Sequence, residues 1–263
     1  MEYKELIYTI ENQVATITLN RPERMNALTK TLYSEMEHAL RASEDNDGVR
    51  AIIITGAGRG FCSGDDVKSM AAPDTQEQQV RKTAIKGKPT PVVPVFMAMN
   101  KPLIAAVNGA AVGWGMDLSL FCDIRIASEL AKFGEVYVLR GLIPDISGFY
   151  LLPRIIGLSR AYELLLTGDV IDAKEAERIG LVSKVVPPDQ LMPTAKALAA
   201  KMAALPPLAV KMSKEAVRKG LNYDLGALGE YHAYALGILF QTEDFKEGST
   251  SLLERRRPIF KGR

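Results

Sequence analysis

The sequence predicts an α/β fold, with a largely parallel strand core followed by a helical C-terminal region. Three observations carry this. A nearly continuous β-branched run at 49–55, a short apolar run at 103–107 and a further strand pattern at 124–127 follow one another, and the first reads as a strand buried on both faces. Helical patterns separate them, and strand–helix–strand alternation calls for right-handed crossovers. Beyond Pro187-Pro188 only helical periodicity remains.

Taken in order, Val14, Thr16 and Thr18 alternate with Ala15, Ile17 and Leu19 in a strand pattern that Asn20-Arg21-Pro22-Glu23 breaks. Thr29 opens a helix with Leu32, Met36 and Leu40 on one face, and Asp45-Asn46-Asp47-Gly48 stops it. Gly56-Ala57-Gly58-Arg59-Gly60 is a loop after the next strand. Residues 68–91 are polar, charged and broken by prolines, and are expected to be a mobile surface excursion. Residues 103–107 lead to Asn108-Gly109, residues 114–121 read as a buried helix, and 124–127 as a strand. Asp172-Ala173-Lys174-Glu175 is a capping box on a helix ending at Gly180. Helices are expected at 191–204, 208–219 and 223–240. The chain divides into a core over 1–194 and a helical region over 195–263.

Composition narrows the function. With 33 basic and 31 acidic residues the net charge is +2, which gives no broad footprint for nucleic acid or an anionic membrane. Two cysteines, Cys62 and Cys122, make no disulfide framework. Residues 1–9 lack the apolar segment of a signal peptide, and no apolar stretch is long enough to span a membrane. A cytoplasmic location is expected. The two histidines, His38 and His232, are far apart, and no HxxH, HExxH or CxxC spacing occurs, so no metal site is expected.

Two glycine-rich turns each follow a strand pattern and enter a helix: Gly60-Phe61-Cys62-Ser63-Gly64-Asp65-Asp66, and Asn108-Gly109-Ala110-Ala111-Val112-Gly113-Trp114-Gly115-Met116-Asp117. Helix starts present free N–H groups, and glycine lets a ligand approach the backbone. Neither turn is a GxGxxG or Walker A loop. Asn20-Arg21-Pro22 with Asn26-Ala27-Leu28, both glycine-rich turns, Lys101-Pro102-Leu103-Ile104-Ala105-Ala106-Val107-Asn108-Gly109, Ile143-Pro144-Asp145, Leu152-Pro153-Arg154, Leu166-Thr167-Gly168, Glu247-Gly248 and the 256–260 end follow in order. Over nearly the whole chain this resembles the enoyl-CoA hydratase/isomerase (crotonase) family.

The resemblance implies a spiral of ββα turns in the 1–194 core, with the C-terminal helices serving as a trimerisation or lid region in a homotrimer or a dimer of trimers. It implies an acyl-CoA thioester whose carbonyl sits between two backbone N–H groups, carried over to Ser63 and Trp114, that stabilise an enolate. No cofactor is implied, because coenzyme A arrives with the substrate. Substrate and CoA contacts carry over to Arg24, Met25, Ala27, Phe61, Cys62 and Gly64. They continue at Asp65, Asp66, Gly113, Gly115, Phe260 and Lys261. Arg255-Arg256-Arg257 reads as a solvated charge run that the resemblance would set against CoA phosphates or a neighbouring subunit. Residues 68–91 are expected to line the acyl pocket.

The acid/base positions depart from the family pattern. The two glutamates of hydratases fall on Asp117 and Tyr137, and a third family position falls on Asp145. An ordinary tyrosine, with a pKa of about 10, is a poor base at neutral pH, so Tyr137 is read as a donor or orienting group. Asp117 is read as catalytic against the alternative of complementing a helix N-terminus. Asp145 is equally a catalyst or a helix N-cap. Glu135 reads as a surface or supporting charge, and Cys62 as a buried filler. Double-bond isomerisation is the first expectation, because one or two aspartates can move a proton. Hydration is the close alternative, and a non-catalytic acyl-CoA- or RNA-binding role is the rival class.

Overall fold

The computed structural model describes residues 1–66, 90 and 92–263. The excursion expected at 68–91, apart from Thr90, lies outside the described residues.

Asn12 and Gln13, both left-handed (φ 50° and 65°), turn β1 (Leu6–Glu11) back onto β2 (Val14–Leu19) as an antiparallel hairpin. From β2 onward the sheet is parallel: β2 pairs with β3 (Ala51–Gly56), β3 with β5 (Leu103–Val107), β5 with β7 (Ile124–Ser128), and β7 with β10 (Lys184–Val186). After β3, β5 and β7 the chain leaves this sheet and adds a short strand to a second one. Those strands are β4 (Gly60–Cys62), β6 (Ala110–Val112) and β8 (Lys132–Gly134), closed by β9 (Ile171–Asp172). Each exit from the large sheet makes one turn of a spiral, and the second sheet collects the corners.

Two helical layers cover the large sheet. On one face, α1 (Lys30–Asp45) buries Leu32, Met36 and Leu40 as its spacing predicts, and its N-cap Thr29 accepts from Leu32 N–H at 3.0 Å. The short α2 (Val93–Ala98) buries Val93, Val95 and Phe96 on that side. On the other face, α8 (Leu191–Ala203) sets Leu191, Ala195, Ala199 and Ala203 against Ile53, Ile104 and Ile126. These positions recur every four residues, one face of a helix, and the alanines let it lie close to the sheet. The expected boundary between residues 194 and 195 falls inside α8. Beyond it come α9 (Pro207–Gly220), α10 (Leu225–Leu239) and α11 (Glu243–Leu253). Arg50 ties the chain end to the core by donating to Ala203 O (3.2 Å) and Phe260 O (2.9 Å).

Candidate active site

The two glycine-rich turns meet in space at the corners of successive spiral turns. Gly113, with φ 54°, turns the chain from β6 into α3 (Trp114–Phe121). Its N–H donates to Gly134 O at 2.9 Å, while the next N–H, that of Trp114, has no acceptor among the described residues. Gly115 packs against the other corner. A Cβ there would lie 2.0 Å from Cys62 O, so only glycine fits. Gly64 approaches less closely, a Cβ on it lying 3.1 Å from Val112 O and 3.2 Å from Trp114 N, but its φ of 86° favours glycine there.

The corners differ in one respect that the sequence does not reveal. Ser63 N–H, expected to be free, donates to Met25 O at 3.0 Å. The reason is the loop over residues 20–28, which bends into the first corner. Met25 and Asn26 are both left-handed there (φ 52° and 57°), a conformation costing about 1–3 kcal/mol per residue. The buried Asn26 side chain holds it, donating to Ala57 O (3.0 Å) and Gly60 O (2.8 Å) and accepting from Arg21 N–H (2.9 Å). Ala27, Phe61 and Cys62 are buried around it, and Arg24 is exposed. Burial pushes the Cys62 thiol up to about 12, which suits the filler reading. Asp65 accepts from Tyr33 Oη (2.8 Å), and Asp66 from Arg21 (3.2 Å).

A group of acidic side chains gathers beside the second corner. Asp117, in the first turn of α3, is fully buried. Its Oδ2 accepts from Tyr137 Oη at 2.6 Å, and its Oδ1 accepts from Gly148 N–H at 2.8 Å and from the Ser147 hydroxyl. Burial pushes its pKa up to about 6, against the opposing pull of these donors. Tyr137 lies in a 3₁₀ turn (Val136–Arg140), and burial together with the Asp117 charge pushes its pKa upward. It is a hydrogen-bond donor to Asp117.

Asp145 does cap a helix, α4 (Ile146–Tyr150), accepting from Ile146 N–H at 2.7 Å. Its other oxygen accepts from Trp114 Nε1 (2.9 Å) and Thr90 Oγ1 (2.6 Å). The Trp114 indole is thereby fixed, edge-on to Tyr33 with ring centroids 5.0 Å apart.

Glu135 corrects the surface half of its sequence reading. It is 0 % exposed, and neither carboxyl oxygen has a hydrogen-bond partner among the described residues. Burial, with the Asp117 and Asp145 charges, pushes its pKa well up. The sequence carries no signal for this, nor for the Ser147 and Gly148 donors, because all three depend on how α4 packs on α3.

Phe260 and Lys261 are elsewhere in this chain. Phe260 lies over Gly248 and accepts from Arg50, and Lys261 N–H donates to Asp244 at 2.6 Å. Arg256 pairs with Glu247 and Glu254.

Residues 9–263 match the family model of enoyl-CoA hydratase/isomerase. The chain belongs to the enoyl-CoA hydratase/isomerase family. Its relatives include the crotonyl-CoA hydratase of Syntrophomonas wolfei, 41% identical and covering 99% of both chains. The short-chain-enoyl-CoA hydratase of Clostridium acetobutylicum is 40% identical over 98% of this chain and 97% of its own. Among solved structures, the enoyl-CoA hydratase of Bacillus anthracis superposes with a TM-score of 0.90 at 34% identity, covering 99% of this chain and 100% of that one. The spiral and its helical C-terminal region are thus the crotonase fold, and the protein is an acyl-CoA enzyme of the enoyl-CoA hydratase/isomerase type.

Proposed function

We propose that this enzyme adds water to the α,β double bond of an enoyl-CoA. The observation that carries the reading is Asp117, a buried carboxylate fixed by three donors in the first turn of the helix whose leading N–H, on Trp114, has no acceptor among the described residues. As water attacks the β-carbon, negative charge develops on a thioester oxygen seated on that N–H. A fixed donor stabilises this charge more than the ground-state carbonyl and contributes roughly 10²–10³ in rate. Ser63 N–H joins as the second donor by exchanging Met25 O for the thioester oxygen. Asp117 takes the proton from the attacking water. A pKa of about 6 keeps it ionised at neutral pH yet more basic than an ordinary aspartate. Asp145 acts as a positioning residue through the Trp114 indole. Arg24, Met25, Ala27, Phe61, Cys62, Asp65 and Asp66, with Gly64, Gly113 and Gly115, form the substrate and CoA side of this reading. Phe260 and Lys261 would reach CoA only in a neighbouring subunit.

The relatives' names support hydration ahead of isomerisation, which the sequence puts first. Isomerisation stays the second reading on one observation: Tyr137, where hydratases have their second glutamate, is tied to Asp117, and one carboxylate can move a proton between the α- and γ-carbons. A trimer or dimer of trimers goes with either reading, supported by Leu225 and Tyr234 exposed on α10.

Short 2-enoyl-CoA thioesters, followed by product mass in D₂O, separate the two. Hydration gives a product heavier by one water, while isomerisation gives deuterium incorporation without water. Asp117→Asn is expected to lower kcat by roughly 10²–10⁴ while the protein stays folded. Wild-type kcat is expected to fall as pH drops through about 6, where Asp117 takes up its proton. An unimpaired Asp117→Asn enzyme overturns the assignment.

A further inference from the structure

We propose that Glu135 supplies the acid that Tyr137 cannot: it protonates the α-carbon while Asp117 deprotonates the water. This rests on the hydratase reading and completes its proton balance.

The geometry centres on Gly148. Its N–H donates to Asp117 Oδ1 at 2.8 Å. On its other side lies the Glu135 carboxyl: a Cβ added to Gly148 would be 3.0 Å from Glu135 Oε1 and 3.2 Å from its carboxyl carbon. One residue without a side chain therefore separates the two carboxyl groups. They arrive from different elements, Asp117 from α3 and Glu135 from the end of β8. Ionised, Glu135 would leave a bare buried charge, because neither oxygen has a donor among the described residues and it is 0 % exposed. The charged groups facing it are Asp117 and Asp145, both negative, with the Tyr137 hydroxyl on its own turn. Desolvation and like charge both favour the neutral acid. Asp117, with three donors, is by contrast supported as the anion. Two carboxyl groups whose surroundings separate their proton affinities are what an acid/base pair requires.

The step balances. The water oxygen bonds to the β-carbon as its proton goes to Asp117. The double-bond electrons pass to the thioester oxygen, and the resulting enolate takes the Glu135 proton at the α-carbon. Proton transfer from Asp117 to the Glu135 carboxylate then restores both groups, so the net change is one water added.

Glu135→Gln tests this, because the amide matches the neutral acid in shape and cannot give up a proton. Circular dichroism and melting establish folding, and product mass from the wild type establishes which reaction is being scored. The expected result is a folded enzyme with KM within about 3-fold of wild type and kcat lower by roughly 10²-fold or more. Its kcat should lose the alkaline limb that the wild type shows when Glu135 ionises. A folded Glu135→Gln enzyme with wild-type kcat and pH profile overturns the proposal and makes Glu135 a neutral packing group. A wild-type product without added water overturns the hydratase reading, and Glu135 then stands or falls by the variant's kcat for that product. If the variant does not fold, the infrared spectrum of wild type carrying ¹³C-glutamate decides. A protonated glutamic acid carbonyl band at pH 7, lost along the alkaline limb of kcat, supports the proposal, and its absence overturns it.

Discussion

The two glycine-rich corners occupy equivalent places in successive turns of the spiral, yet among the described residues one has an N–H with no acceptor and the other does not. At Trp114 the chain enters α3, so the donor at the helix start has no intrahelical partner. At Ser63 the neighbouring 20–28 loop brings Met25 O to 3.0 Å and occupies the donor. The same local signal, glycines after a strand, therefore leads to two electrostatic outcomes. What decides between them is a segment about forty residues away in sequence, held by Asn26.

The largest effect is expected from joining the corners wrongly. Gly115→Ala would place a methyl group 2.0 Å from Cys62 O, and neither backbone can yield without moving the other corner. A stability loss of about 3 kcal/mol or more is expected in urea unfolding. A fall in kcat of roughly 10²-fold or more should accompany it, because a shift near 1 Å misaligns the donors. Asn26→Ala breaks only the first corner. It removes the hydrogen bonds that hold two left-handed residues, at a cost of about 2–3 kcal/mol. Asp117→Asn in this background should still lower kcat, since the second corner is untouched. The smallest effect, Tyr137→Phe, sharpens the second corner. Losing a donor that lowers the Asp117 pKa should move the acid limb of kcat upward from about 6, with less than about 10-fold change well above it.

Most of the spiral is legible in the sequence because its signals are local. The 49–55, 103–107 and 124–127 runs are β3, β5 and β7 within a residue or two, and Thr29 and Asp172 cap the helices that their sequence patterns predict. β1 escapes this reading because only Leu6 of it is buried, which leaves no alternation to see. α11 escapes because its buried residues are Asp244 and Ser251 rather than an apolar stripe. In the candidate site, the positions of Trp114 and Asp117 at the start of α3 follow from the glycine-rich turn that precedes them. The occupied Ser63 N–H and the burial of Glu135 do not. Both arise where residues distant in sequence pack against a corner, and burial of a single glutamate leaves no periodic trace.

The contact between Gly115 and Cys62 O also bears on how this enzyme can be redesigned. Between the Ser63 and Trp114 corners, Gly115 lies directly against the Cys62 carbonyl, so backbone meets backbone there. Mutational libraries can therefore vary the Trp114 indole, or the residues that hold it, while leaving this backbone contact in place. Position 115 must stay glycine in every such library.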